Sequence, residues 1–328
     1  MVGKIEVSKT HLLSKTPKKF RITPYAIQMM CYLGQQKVYA EAEEELEILR
    51  GIDISAKQIE NVCHYYGEKL EEEIQQEITS GGALPQKNDR KRHYAMLDGG
   101  MLLTREEKWK EMKLARIFDA TEIVSINKNR NYIGESTYVA HLGNHKQFLQ
   151  KVENHLDDKG EIIFIADGAK WIWKWVEAMY PESTQILDYY HASQHLCQWA
   201  EMAIKDEQQK KNWIHTQCLW LLNNGVDTVI ENIKQLKVND TQVRKRRNTL
   251  IAYYESNQSR MQYKTYKEHG LMIGSGPIEA AHRHVIQQRM KLSGQRWTIK
   301  GAQQIVNLRV AEKSNNWGKV IEIINKAA

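Results

Sequence analysis

Three acidic residues stand where a chain would place them to hold a hard cation. Asp98 closes the apolar run Tyr94-Ala95-Met96-Leu97 and is followed by Gly99 and Gly100. Asp167 closes Ile162-Ile163-Phe164-Ile165-Ala166 and is followed by Gly168. Glu279 lies behind Gly274-Ser275-Gly276-Pro277, a sequence that opens a helix and puts the glutamate in its first turn. Ligand sites of α/β sheets gather at the carboxyl ends of strands, and a glycine beside a carboxylate lets a bulky substrate come close. Carboxylates grouped together raise one another's pKa values. Magnesium relieves that repulsion, because it takes oxygen ligands and commonly only one or two protein carboxylates. Two such ions about 4 Å apart clamp the attacking and leaving oxygens of a phosphoryl displacement. The expected chemistry is phosphoryl transfer with Mg2+, or Mn2+ as its substitute, held by Asp98, Asp167 and Glu279, with Asp98 as the bridging ligand.

Taken singly, each residue has a plainer explanation. A strand-ending Asp-Gly is most often a turn, and a first-turn glutamate serves the helix dipole or pairs with a residue such as Arg283. Only the combination points to catalysis. Further along, Asp188-Tyr189-Tyr190-His191 ends another strand, with His195 four residues on. His191 and His195 share a helical face, as zinc ligands do, but no third ligand is spaced nearby. A place beside the site, contacting substrate or the third carboxylate, suits Asp188 and His191 better. Trp171, Trp173 and Trp175 flank Asp167. At least two are expected in the core, and one facing outward would stack on an unpaired base. After Glu279 come Arg283, His284, Arg289, Lys291, Arg296 and Trp297, in a stretch from 280 to 311 without acidic residues. Such a segment suits phosphates next to a scissile one; the plainer alternative is a solvated charged face.

The elements that would position these residues can be read in outline. The 328 residues suffice for two or three domains, and a hydrophobic fraction of 41% supports a packed core. A balance of 47 basic to 40 acidic residues, +7 overall, permits a polyanionic partner without requiring one. Cys31, Cys63, Cys197 and Cys218 form no CxxC pair and read as reduced, buried thiols. No apolar stretch is long enough to span a membrane, and the start, with Lys4, Lys9, Lys15, Lys18 and Lys19, lacks the apolar core of a secretory signal. A cytoplasmic protein without a membrane partner is expected. Residues 1–23 read as a basic arm and 24–80 as helices, with Ser55 as an N-cap after Gly51-Ile52-Asp53. Two helices around a short turn suggest a helix-turn-helix. Glu41, Glu43, Glu44, Glu45 and Glu47 on the first of them fit a small bundle or oligomerisation element at least as well. A linker over Ser80–Pro85 and the basic Arg90-Lys91-Arg92 follow. Strands are expected at Tyr94–Leu97, Lys113–Phe118 and Tyr132–His141 as an antiparallel meander. A helix from Lys146 to Leu156, a strand buried on both faces at Ile162–Ala166, a Trp-rich helix at 170–179 and a strand at Gln185–Leu187 complete the order β-β-β-α-β-α-β. Residues 189–270 read as wholly helical, with a basic knot at Arg244-Lys245-Arg246-Arg247, and the end of the chain as amphipathic helix.

Four separated motifs resemble, in order, those of bacterial insertion-sequence DDE transposases of the ISKra and ISLre type. They are Leu97-Asp98-Gly99-Gly100-Met101 with Arg105-Glu106 and Trp109-Lys110-Glu111; Ala166-Asp167-Gly168-Ala169 with Trp171-Ile172-Trp173; Leu187-Asp188-Tyr189-Tyr190-His191-Ala192; and Gly274-Ser275-Gly276-Pro277-Ile278-Glu279. The tail Arg289-Met290-Lys291, Gly294, Arg296-Trp297 and Gly301-Ala302 extends the resemblance, which covers residues 90 to 310. It implies an α/β fold with a ribonuclease H-like core on a mixed β-sheet, interrupted by an all-α insertion between the second Asp and the Glu and preceded by a helical N-terminal region. The segments would be 1–80, 90–190 and 271–328 around an insertion at 191–270. It further implies hydrolysis of a phosphodiester at the element end and strand transfer into target DNA by the triad Asp98, Asp167 and Glu279. Asp188 and His191 match the motif after the next strand, and Arg283, Arg289, Lys291, Arg296 and Trp297 would contact DNA. The partners implied are double-stranded DNA, as insertion-sequence ends and target, and further copies of the chain as a homo-oligomer on DNA, in a bacterial, nucleoid-associated setting. Relatives often carry a longer N-terminal region, some with cysteines suited to zinc. A DNA-binding remnant without activity, and a ribonuclease H-like nuclease on another nucleic acid such as an RNA–DNA hybrid, are the alternatives; a glycosidase with paired carboxylates fits the basic helix less well.

Overall fold

Helices begin where the sequence supplies a cap and end where it supplies a break. The computed structural model describes residues 20–80, 92–127, 130–156 and 160–327. The basic arm to residue 19, the linker from 81 to 85 and Arg90-Lys91 lie outside them. Thr23 Oγ1 accepts from Ala26 N at 3.4 Å and Pro24 fills the first turn of α1 (Pro24–Gln36). Gly51, at φ 64°, closes α2 (Tyr39–Arg50) in the left-handed region. Ser55 then caps α3 (Ala56–Thr79) as expected, its Oγ accepting from Gln58 N at 3.3 Å, while the Glu43 carboxylate accepts from Ala56 N at 2.7 Å.

The sheet follows from short connections first and long ones later. β1 (Arg92–Thr104) and β2 (Lys108–Asp119) are neighbours joined by three residues, a connection that only an antiparallel pair allows. β3 (Ile123–Asn127) and β4 (Arg130–Ile133) form a separate two-stranded hairpin. β5 (Thr137–Leu142) then returns antiparallel on β2, with Met112 opposite Leu142 and Ile117 opposite Thr137. The single strand expected over Tyr132–His141 is therefore two strands. Gly134 N and Glu135 N fold onto the Glu122 carbonyl and carboxylate, each at 2.9 Å, and the chain turns there.

α4 (His145–Glu153), capped by Asn144, leads to β6 (Glu161–Ala166), and α5 (Lys170–Met179) leads to β7 (Thr184–Leu187). β6 runs parallel to β1, and β7 parallel to β6. The result is a five-stranded mixed sheet in the order β5-β2-β1-β6-β7. Ile162 through Ala166 are all buried, as expected for a strand covered on both faces.

Helices make up the rest. α6 (Tyr189–Ala203), α7 (Glu207–Leu222), α8 (Val226–Gln235), α9 (Thr241–Asn257) and α10 (Tyr263–Glu268) form the expected helical stretch. α11 (Gly276–Ala281) passes into a π-helical segment, His282–Gln287, and then α12 (Gln288–Met290). α13 (Ile299–Lys313) and α14 (Trp317–Lys326) close the described chain. A π-helix loosens the regular carbonyl pairing. Here the buried Arg309 guanidinium donates to the carbonyls of His284 and Val285. Burial, and then the nearby Arg289, bring the Arg309 pKa down to about 10. Among the described residues no helix is long and apolar enough to cross a membrane.

Two compact units emerge. Among the described residues, one gathers 20–80, 99–127, 130–156 and 279–327, the other 92–98 and 160–278. In the first, α3 crosses α13 so closely that a Cβ on Gly67 would overlap the Gln304 backbone, and Asn307 Nδ2 donates to the Gly67 carbonyl at 3.1 Å. The N-terminal helices thus belong to the same unit as the C-terminal ones instead of standing apart. In the second, β6 and β7 share a unit with the insertion helices, which Tyr254 ties together by donating its hydroxyl to the Ala192 carbonyl at 2.9 Å.

Candidate active site

The strand register places three aspartates side by side. Leu97 pairs with Ala166 across β1 and β6, and Ala166 pairs with Leu187 across β6 and β7. Asp98, Asp167 and Asp188 are the next residue on each strand. Neighbouring strands lie about 4.8 Å apart, so the three acids form a row: Asp167 and Asp188 follow the ends of β6 and β7, and Asp98 lies level with them where the parallel pairing of β1 stops, although β1 itself continues to Thr104 instead of ending at Leu97 as expected. All three belong to the second unit. A sheet of this kind collects ligand sites at that end.

Asp167 is held by its own turn and by the helix that follows. Its Oδ1 accepts from Ala169 N at 3.0 Å, and its carbonyl accepts from the Trp173 indole at 2.9 Å. Trp173 and Trp175 are buried, as expected of at least two of the three tryptophans. Gly168 serves close approach: a Cβ there would overlap the ring of Tyr253, from α9. The Tyr253 ring meets His195 edge to face at 5.0 Å. Burial first, then Asp167 and Asp188, push the Tyr253 hydroxyl pKa up. Burial lowers that of His195, with His191 adding to the fall and Asp167 opposing it. Tyr253 was not legible as a site residue; its one sequence signal is the glycine after Asp167, which implies something packed against it.

Asp188 is different from its neighbours. It is 2% exposed. Its Oδ1 accepts from Tyr190 N at 2.7 Å, capping α6, and its Oδ2 meets His191 Nδ1 at 2.8 Å and accepts from the Ser275 hydroxyl. Burial alone would raise its pKa, but hydrogen bonds from His191, Ser275 and Tyr190 N–H together hold the carboxyl below its usual range. Asp188 is therefore a bracket between β7, α6 and the segment before α11. Tyr189 N donating to the Ile273 carbonyl at 2.9 Å, and the Tyr190 ring filling the space beside Gly274, complete that bracket. The motifs at Asp98, Asp167, Asp188 and Gly274-Ser275 thus meet within one unit.

Glu279 is exposed in the first turn of α11 and opens the last segment of the first unit. Arg283, Lys291 and Arg296 are exposed. Lys291 Nζ and His282 lie close to Gly100, where a Cβ would come within 3.4 Å and 3.1 Å of them. Arg289 and Trp297 do not fit the expectation that they contact DNA. Arg289 is 1% exposed, donates Nε to the Gly34 carbonyl at 3.1 Å, and lies 5.0 Å from the ring centres of Tyr39 and Trp297. Trp297 donates its indole N–H to the Met290 carbonyl at 3.0 Å. Both hold the first unit together. Their position was readable in part, since His282, Val285, Ile286 and Arg289 recur at helical spacing as one buried stripe. The tail after Arg289 has a structural role of its own: Arg105 N donates to the Trp297 carbonyl at 2.8 Å, and the Glu106 carboxylate accepts from Ile299 N at 3.1 Å, at the start of α13.

The donor set suits a hard divalent cation. Asp98 and Asp167 are half-buried carboxylates on adjacent strands, and Oδ2 of Asp167 accepts no hydrogen bond from the described residues. Among those residues no group of three His, Cys, Asp or Glu side chains is gathered to hold a metal by protein ligands alone; magnesium commonly needs only one or two. No family model and no curated protein matches the chain.

Proposed function

We propose that the chain is a DDE-type DNA transposase of the insertion-sequence kind, with a ribonuclease H-like catalytic core. The observation that carries the reading is the register that sets Asp98 beside Asp167, where the parallel pairing of β1 and β6 stops at the carboxyl end of β6. The strand order supports it. Counted along the chain, β1, β2 and β5 are the meander and β6 and β7 the parallel additions, giving the order 3-2-1-4-5, as a ribonuclease H-like core requires. The third carboxylate, Glu279, is assigned from its glycine-rich motif.

In this reading an oxygen of water attacks the phosphorus at the element end, and the 3′ oxygen leaves as a hydroxyl. That hydroxyl then attacks a phosphodiester of target DNA, and a new strand junction replaces the old one. Asp98 and Asp167, with Glu279 as the motif implies, would hold magnesium, which when bound would supply Lewis acidity for this displacement. The protein's own contribution is placement. Ala169 N–H and the Trp173 indole fix Asp167, Asp188 fixes the neighbouring strand end, and the exposed Arg283, Lys291 and Arg296 neutralise phosphates. The substrates are insertion-sequence ends and target DNA, with further copies of the chain assembled on them.

The test is incubation with supercoiled DNA bearing candidate element ends, in Mg2+, Mn2+ or Ca2+. Nicking or joining is expected in Mg2+ and Mn2+. It should fall by more than about a hundredfold in Asp167→Ala, since even outer-shell partners of metal ligands are worth about 10- to 100-fold. Equal binding with no cleavage in either protein would replace the transposase with a DNA-binding protein on the same fold.

A further inference from the structure

A cavity of about 450 Å³ opens between α6 and α9, lined by His195, Gln198 and Trp199 on one side and by Gln242, Lys245, Arg246, Thr249 and Tyr253 on the other. It lies wholly within the second unit. Tyr253 is also the ring that covers Gly168, so the cavity adjoins the Asp167 strand end. Its chemistry is mixed in a particular way. The walls are flat rings: Trp199 is 2% exposed and fixed by donating to the Val243 carbonyl at 3.3 Å, and Tyr253 is braced by His195. The rim is cationic, and neither Lys245 nor Arg246 has a carboxylate partner among the described residues. Gln198 and Gln242 add amides that both donate and accept. The Tyr253 hydroxyl is buried without a hydrogen-bond partner in the chain, a state that buried polar groups rarely keep unless something else satisfies them.

We propose that this cavity takes a single unpaired nucleotide of a DNA strand, its base against the Tyr253 and His195 rings and its phosphate at Lys245 and Arg246. A ring-lined slot between two helices excludes a stacked duplex, so the base must leave the helix to enter. Aromatic walls suit a base face of any sequence, amides and the Tyr253 hydroxyl suit its edge, and the two free cations suit the phosphate. The identity of the strand as DNA rests on the transposase reading; the recognition of an unpaired nucleotide does not depend on cleavage.

The experiment is a fluorescence titration of the full chain, without divalent metal, with two DNA duplexes. One is fully paired and the other carries one extrahelical 2-aminopurine nucleotide. The unpaired duplex should bind about tenfold more tightly, the scale of one stacked base, and its 2-aminopurine emission should be quenched. Thr249→Trp and Gln198→Trp each fill the cavity from an exposed position, on opposite walls. Both should erase the preference while leaving affinity for the paired duplex and the melting temperature unchanged. Equal binding of the two duplexes, or a preference that survives both substitutions, overturns the proposal. A chain that nicks DNA without the preference loses only the cavity assignment, one with the preference but without nicking loses only the catalytic reading, and one that binds no DNA loses both.

Discussion

At the scale of single residues, position in a row decides role more than residue type does. Asp98, Asp167 and Asp188 stand level on neighbouring strands, yet Asp188 makes three hydrogen bonds while Asp167 keeps an oxygen open. The same division separates the basic residues after Glu279. An acid-free run of arginines and lysines looks uniform in sequence, because charge carries no record of which side of a helix it occupies. Burial separates them: Arg289 lies among rings and carbonyls, and Arg283 faces water. Arg283→Gln is expected to weaken DNA binding and lower its salt slope by about one, with stability changed by less than about 0.5 kcal/mol. Arg289→Gln should do the reverse, costing about 2–4 kcal/mol in urea denaturation as Gly34, Tyr39 and Trp297 lose their partner. A stability loss at Arg283, or none at Arg289, would undo that division.

At the scale of elements, strands and helix starts were legible where local chemistry fixes them. Ser55 and Pro24 mark helix starts, and the apolar run Ile162–Ala166 marks a buried strand. The break at Gly134 was not, because it depends on Glu122, a residue twelve positions away that the turn folds onto. Nor was the pairing of α3 with α13, since two helices far apart in sequence carry no mutual signal. Gly67 is the trace of that pairing: it has no conformational need for glycine, but the Gln304 backbone occupies the space of its Cβ. Gly67→Ala should therefore separate the two helices and cost about 1–3 kcal/mol or more. Gly318, in α14, has nothing within 4 Å of a Cβ, and Gly318→Ala should stabilise by about 0.5–1 kcal/mol through helix propensity. Thermal melts of the two variants side by side provide the measurement, and equal shifts would mean that α3 and α13 can part without loss.

At the scale of the whole molecule, the histidines divide unevenly between the two units, and acid should expose the division. Burial lowers the pKa of His64, His141, His155 and His284 in the first unit, and of His195 in the second. His141 falls furthest, from 6.5 to about 4, through burial first and then Lys151. A histidine held neutral in the folded chain takes up a proton in the unfolded chain as pH drops below its ordinary value. The unfolded state then binds more protons, so stability falls on acidification through that window and is fully present only above it. For His141 the window runs from pH 6.5 to about 4, and the loss amounts to as much as about 3 kcal/mol. Two carboxylates act in the same direction, lower on the pH scale. Glu71 is buried, yet Lys151 holds its pKa below the usual carboxylate range, and Asp188 is likewise lowered, so what they contribute is lost only at still lower pH. Between pH 7 and 5 the histidines should dominate. Hydrogen exchange at pH 7, 6 and 5 is expected to show protection falling first in peptides from 130–156 and 279–313, and later in those from 160–270. His141→Gln, which keeps a polar group beside Gln147, should flatten the decline by about one proton. Equal loss in both units, or a His141→Gln profile that matches the parent, would mean that the buried histidines do not set the acid limit of this fold.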